Sequence, residues 1–172
     1  MNFSIKVDKT SLDGVKLISP STNFEDFRGS YIELYNKELF SSAGINLDFI
    51  QDDISVSRKN VLRGIHGDPH TWKLVSCLRG TFYMIVVNND KSSPEYKKWE
   101  SFTLSDVNKK LVLIPPNFGN GHLVMSEESI FHYKQTTSYD RSSQFTIKWN
   151  DPKFNFWWPI KNPITSVRDE GI

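Results

Sequence analysis

The pattern that most limits how this chain can fold is its period. Short runs rich in Val, Ile, Leu, Phe and Tyr, many alternating apolar with polar residues, are each closed by Gly, Pro, Asn or Asp. Alternation at two residues puts successive side chains on opposite faces of an extended chain, whereas a helix needs its apolar residues three and four apart. Strands are predicted over residues 30–34, 48–56, 61–66, 72–78, 81–88, 98–103, 110–114, 122–125, 129–137 and 145–149. Turns fall at Gly80, Asn88-Asn89-Asp90, Ser93-Pro94 and Pro115-Pro116-Asn117, and one short helix is expected over Asn36–Ala43. So many short strands in 172 residues imply a single all-β domain over 1–172, a sandwich or barrel. The stretch from Pro152 to Ile172 is aromatic and proline-rich without a period, and is expected to pack across one end of the β core.

Composition removes several function classes. With 21 basic and 20 acidic residues and a net charge of +1, no basic stripe suits nucleic acid, and an anionic ligand must be met by a few placed residues. The single cysteine, Cys77, excludes an internal disulfide and reads as a small buried hydrophobe in a reducing compartment. No segment has the length to cross a bilayer, and residues 1–9 lack a signal core, so a cytoplasmic, soluble protein is expected.

Certain polar residues sit within the predicted strands. Leu62-Arg63-Gly64-Ile65-His66-Gly67-Asp68 is followed by Lys73 and, further on, by Tyr133-Lys134. Strand residues that face a core are costly if titratable, unless paired or chemically employed. Parity puts Arg63 and His66 on opposite faces of a regular strand; Gly64 and Gly67 could supply a bulge that turns both inward. An imidazole, an ammonium and a phenol in one cavity would suffice to remove a proton beside a ketone, hold the enolate and return the proton on the other face.

These segments, taken in order, resemble the dTDP-4-dehydrorhamnose 3,5-epimerase family of cupin-type jelly-roll enzymes. The resemblance runs through Asp26-Phe27-Arg28-Gly29-Ser30-Tyr31-Ile32-Glu33, Gln51-Asp52-Asp53-Ile54-Ser55, Leu62 to His66, Lys73 to Gly80, Ile114-Pro115-Pro116, Tyr133-Lys134, Trp149 to Pro152, Trp158-Pro159 and Ser166-Val167-Arg168-Asp169. It implies His66 as general base oriented by Asp169, Lys73 as the cation on the enolate oxygen, and Tyr133 as the opposing acid. It implies Arg28, Arg63 and Tyr139 as diphosphate or base contacts, with Arg28 reaching over from the partner of a homodimer. Tyr31, Glu33, Gln51, Ser55, Asn120 and His122 complete the expected substrate-binding set. No cofactor or metal is implied; the partner is a nucleoside-diphosphate 4-keto sugar of the kind used for bacterial surface polysaccharides.

The chain also departs from that family. Gly67-Asp68 replaces an aromatic residue and glutamine, and is expected to open space near the sugar. The family's Pro-Pro-Gly-Phe-Ala-His-Gly-Phe reads here Pro115 to His122, with Asn120 in place of its second histidine and His122 two residues later. These changes suggest a GDP-linked 4-keto heptose or 6-deoxyheptose. An epimerase acting at C3 alone, a 3,4-ketoisomerase, a metal-dependent cupin using His66, His70, His122 or His132, and a sugar-binding module without catalysis are the alternatives. His132, next to Tyr133, should face away and be structural.

Overall fold

The computed structural model describes residues 4–171. Two antiparallel sheets face one another as a jelly roll of the cupin type. One holds, in spatial order, β1 (Lys6–Lys9), β2 (Lys16–Ser19), β10 (Leu111–Ile114), β7 (Lys73–Arg79), β12 (Glu128–Gln135) and β5 (Gln51–Arg58). The other holds β13 (Phe145–Thr146), β6 (Leu62–Gly67), β11 (Phe118–Val124), β8 (Thr81–Asn88) and β9 (Trp99–Ser105). β3 (Asn23–Asp26) and β4 (Gly29–Ile32) pair only with each other, as a separate ribbon. The helix α1 (Lys37–Ser42) starts where expected because Asn36 Oδ1 accepts the N–H groups of Glu38 and Leu39 at 3.0 and 3.3 Å.

Apolar packing occurs in three layers. Val75, Cys77, Phe82, Met84, Val112 and Phe131 are among the residues that meet between the sheets. Leu74, Leu111 and Leu113, on the outer face of the six-stranded sheet, are covered by Phe40 of α1 and by Ile45. Leu62, Ile65, Ile85 and Leu123, outside the five-stranded sheet, are covered by Ile147, Phe154 and Trp158. The aromatic stretch after Pro152 therefore lies across a sheet face and not across one end of the core, as the sequence suggested. Its strong apolar content needs a large surface to bury, and hydrogen bonds tie it there: Trp158 Nε1 donates to the Trp149 carbonyl at 2.8 Å, and the Phe154 carbonyl accepts Trp99 Nε1 from β9 at 3.0 Å. Ile172 lies outside the described residues. Cys77 is 5% exposed and burial pushes its thiol up to about 12, as its reading as a small hydrophobe requires.

Three strands, β1 to β3, have no counterpart in the expected set. β1 and β3, KVDK and NFED, are charged or polar because they lie at a sheet edge and in the exposed ribbon, whereas β2, KLIS, lies between β1 and β10 with Ile18 buried but is only four residues long. β11 begins at Phe118, four residues before the expected start. Gly119 and Gly121 weaken its strand signal, but each is needed for clearance: a Cβ at 119 would lie 2.7 Å from Ile65 Cγ2, and one at 121 would lie 3.1 Å from the Arg63 carbonyl oxygen. β13 stops at Thr146, three residues short of the expected end.

On β5 the usual polarity is inverted. Gln51, Asp53, Ser55 and Ser57 turn inward, while Ile54 and Val56 are 62% and 52% exposed. The inward row needs polar groups because it borders a cavity.

Candidate active site

The cavity between the sheets has a volume of about 290 Å³ and draws its walls from both. β6 supplies Arg63 and His66, β7 Lys73, β11 Asn120 and His122, β12 Phe131 and Tyr133, and β5 Ser55; Tyr139, Gln144, Ser166, Arg168 and Asp169 close it from later segments. Arg63 and His66 both reach it because the strand is irregular, as parity demanded. Gly64 has φ of +123°, and pairing with β11 shifts register between Asn120 and His122. A Cβ at Gly64 would stand 2.4 Å from Gly121 Cα, so glycine permits both the conformation and the close approach.

His66 and Asp169 are joined directly. Asp169 Oδ1 lies 2.8 Å from His66 Nε2 and accepts the Gly64 N–H at 2.9 Å, while Oδ2 accepts the Ser166 hydroxyl at 2.6 Å and its N–H at 3.1 Å. Burial alone would raise the Asp169 pKa, but the hydrogen bonds from His66, Ser166 and Gly64 outweigh it and hold the carboxyl well below the usual range. The carboxylate thus keeps the ring proton on Nε2 and leaves Nδ1, 3.2 Å from Thr146 Oγ1, as the nitrogen free to serve as a base.

Lys73 is 8% exposed. Burial pushes its ammonium pKa down, the Asp68 charge pulls it back, and Arg168 lowers it further. For Tyr133 burial is again the leading cause, and with the Asp53 carboxylate, its neighbour across β5, it raises the phenol so that the proton is held through neutral pH. His122 is fully enclosed, and burial together with Arg63 lowers it to about 3, against a smaller opposing pull from Asp169.

Several expected contacts are placed differently. Gln51 does not line the cavity; its Nε2 donates to Asp53 at 2.8 Å and its Oε1 accepts the Tyr139 N–H, so it braces two residues that do or that act on Tyr133. Arg28 stands on the tip of the ribbon against Asp26, Tyr31 is 65% exposed on β4, and Glu33 follows that strand with Oε1 buried and unpartnered. None of the three reaches this chain's own cavity. Gly67-Asp68 does not open space. A Cβ at Gly67 would meet the Phe118 carbonyl oxygen at 2.2 Å and Phe145 Cζ at 2.5 Å, and Asp68 Oδ1 is turned back to accept the N–H groups of His70 and Thr71.

Phe131, Gln144, Ser166 and Arg168 line the cavity without having been singled out as site residues, and Thr146 touches the His66 ring. Ser166 and Arg168 were legible as neighbours of Asp169; Gln144 and Thr146 carry no signal beyond lying next to or within β13. Of the four histidines only His66 and His122 line the cavity; His132 faces outward on β12, 3.3 Å from Asp52 and 2.8 Å from Ser76 Oγ. Among the described residues, no three His, Cys, Asp or Glu side chains gather as a metal site would require.

Comparison with known proteins gives the family. The family model described as dTDP-4-dehydrorhamnose 3,5-epimerase matches residues 9–172. The dTDP-4-dehydrorhamnose 3,5-epimerase of Shigella flexneri is 37% identical over 169 residues, 96% of this chain and 93% of that one. The dTDP-4-dehydrorhamnose 3-epimerase of Streptomyces niveus is 32% identical over 163 residues, 92% of this chain and 78% of that one. The crystal structure of dTDP-6-deoxy-D-glucose-3,5-epimerase from Legionella pneumophila in complex with dTDP-4-keto-L-rhamnose superposes with a TM-score of 0.91 at 33% identity, covering 97% of this chain and 90% of that one. The chain belongs to the dTDP-4-dehydrorhamnose 3,5-epimerase family, a family of isomerases.

Proposed function

We propose that the protein is a nucleotide-sugar 3,5-epimerase acting on a 4-keto-6-deoxy sugar, in the cytoplasm, on the way to a surface polysaccharide. The observation that carries this is the meeting of the His66–Asp169 pair, Lys73 and Tyr133 in one cavity. His66 Nδ1 takes the proton from the carbon beside the ketone. The C–H electrons form the C=C bond, and the carbonyl pair moves onto O4, where the Lys73 ammonium stabilises it. Tyr133 then gives its proton to the opposite face of that carbon, and proton exchange with solvent restores imidazole and phenol before the next centre is inverted. A sugar-binding module would have no use for a buried cation, a base and an acid around the same space.

The finer reading, a GDP-linked 4-keto heptose, keeps Asn120 in its support and loses Gly67-Asp68, which adds no room. An epimerase acting at C3 alone is the second reading, favoured by the likeness to the Streptomyces niveus relative; a 3,4-ketoisomerase is the third. Proton NMR in deuterium oxide, with dTDP- and GDP-linked 4-keto-6-deoxy sugars, separates them. Deuterium at C3 and C5 supports the 3,5-epimerase and identifies the nucleotide; deuterium at C3 alone replaces it with the narrower activity; none with any substrate rejects it.

A homodimer is part of this proposal. Ile54 and Val56 on the edge strand β5 and Leu78 on β7, 41% exposed, give the six-stranded sheet an apolar outer patch. The ribbon projects Phe27, 98% exposed, beside Arg28. A second copy seated on that sheet would cover the patch and bring Arg28 to the neighbouring cavity.

A further inference from the structure

A base that removes two protons in turn from one bound sugar must shed the first before it can take the second. Around His66 a route for that step is built. Its side chain is 20% exposed, and the strand beside it, β13, is the edge of the five-stranded sheet. Thr146 stands opposite His66 in register on that edge, exposed to solvent and outside the set of residues that wall the cavity. Its Oγ1 lies 3.2 Å from Nδ1, the ring nitrogen that Asp169 leaves free. Between the base and the water at the sheet edge there is thus a hydroxyl.

The direction of each hydrogen bond is dictated by the groups at the two ends. The Arg168 Nε–H, 3.4 Å from Oγ1, can only donate, and the Asp169 carboxylate can only accept. Nε2 accordingly carries the ring proton, Oγ1 accepts from Arg168, and the hydroxyl hydrogen is left to point at Nδ1. Once Nδ1 has gained a proton from carbon, the hydroxyl has only to turn: its other lone pair accepts the Nδ1–H and its hydrogen faces water. We infer, on the nucleotide-sugar reading above, that Thr146 is the relay through which His66 exchanges its proton with solvent between inversions. The Nδ1–H bond breaks as an O–H bond forms at Oγ1, while the hydroxyl's own proton passes to water. Imidazole returns to its neutral form and threonine ends unchanged, never an alkoxide. Thr146 thereby resets the base without touching the sugar.

The test is an isotope partition in deuterium oxide with the full chain and the dTDP- and GDP-linked 4-keto-6-deoxy sugars. Early in the reaction the unconverted sugar is recovered, and its deuterium at the carbons beside the ketone is measured against the amount of inverted sugar. In the wild type, His66 is expected to swap the abstracted proton for solvent deuterium and return it to the same face, so that recovered sugar is labelled. Thr146→Val keeps the branched shape that suits an exposed edge strand and removes only the hydroxyl. There the proton is held and goes back, while the inverted sugar still receives deuterium from Tyr133. Label in recovered sugar per inversion is expected to fall about tenfold or more, short of the roughly 10²- to 10⁴-fold of a group that transfers a proton in the transition state, because water takes over part of the route. Thr146→Ser is expected to restore the wild-type ratio. A ratio does not depend on how much of the enzyme is folded, and a residue that only orients the ring would slow exchange and inversion alike. An unchanged ratio in Thr146→Val therefore overturns the relay even if the rate falls. So does a serine variant that behaves as the valine one, or a wild type whose recovered sugar is unlabelled while its product carries deuterium. Deuterium in no sugar at all would instead defeat the nucleotide-sugar reading, and this inference with it.

Discussion

A single oxygen of Asp169 serves both His66 Nε2, at 2.8 Å, and the N–H of Gly64, at 2.9 Å. The carboxylate therefore fixes the proposed base, His66, and the irregular strand that presents it at once. An asparagine in its place would keep the shape but allow the imidazole the wrong tautomer. Asp169→Asn is expected to lower kcat roughly 10²- to 10⁴-fold with a small change in KM, by analogy with triad carboxylates; steady-state kinetics would show it.

The same carboxylate makes stability depend on acid. Its folded pKa is held below the value near 3.9 of an unfolded aspartate. The stabilisation is accordingly complete above the unfolded value and fades as pH falls through the folded one. Denaturant unfolding of wild type and Asp169→Asn should differ most near neutrality and converge progressively below about pH 4.

In the proposed reaction Lys73 must carry its proton to meet the enolate oxygen. Lys73→Met is expected to cost kcat about 10²- to 10³-fold, as losing an oxyanion donor does. Because burial lowers its pKa, activity in the wild type should fall on the alkaline side at lower pH than an ordinary lysine would dictate. A kcat profile that stays flat past the usual lysine range would remove Lys73 from that role.

Tyr133→Phe keeps the ring beside Phe131 but not the proton. His66 should still exchange the substrate's C–H with deuterium while net inversion falls by about 10²-fold or more. Normal epimerisation by this variant would place the acid elsewhere.

Gly67→Ala tests a packing claim. The added Cβ would collide with the Phe118 carbonyl on β11 and with the Phe145 ring, so β11 must move away from β6 and the ring of β13 must swing aside. A loss of about 1–3 kcal/mol is expected, read as a lowered thermal midpoint together with weakened catalysis, because Thr146 and His66 are paired on those strands.

What the sequence disclosed, and what it hid, follows from where each residue stands. Strands that pack an apolar face, such as β8 with Phe82, Met84 and Val86, announce themselves by period. β1 and β3 do not, being edge or ribbon strands, and β2, although Leu17 and Ile18 pack on opposite faces of its sheet, is too short to show a period. His66, Lys73 and Tyr133 were recognisable as titratable residues in strands, and Asp169 through the family resemblance. The irregular pairing at Gly64 was foreseeable from parity, but the fate of Gly67 was not, because Phe145 fills its missing side chain from a strand paired only in three dimensions. On β5 the apolar Ile54 and Val56 look like core in one dimension and face outward in three.

The proposed base is carried by β6, and its orienting carboxylate comes from a segment 103 residues later that first crosses the outside of the same sheet. The alignment of the imidazole is thus held from outside the barrel as well as from within it: Phe154 and Trp158 anchor the wrapping whose far end delivers Asp169, Ser166 and Arg168 to the cavity.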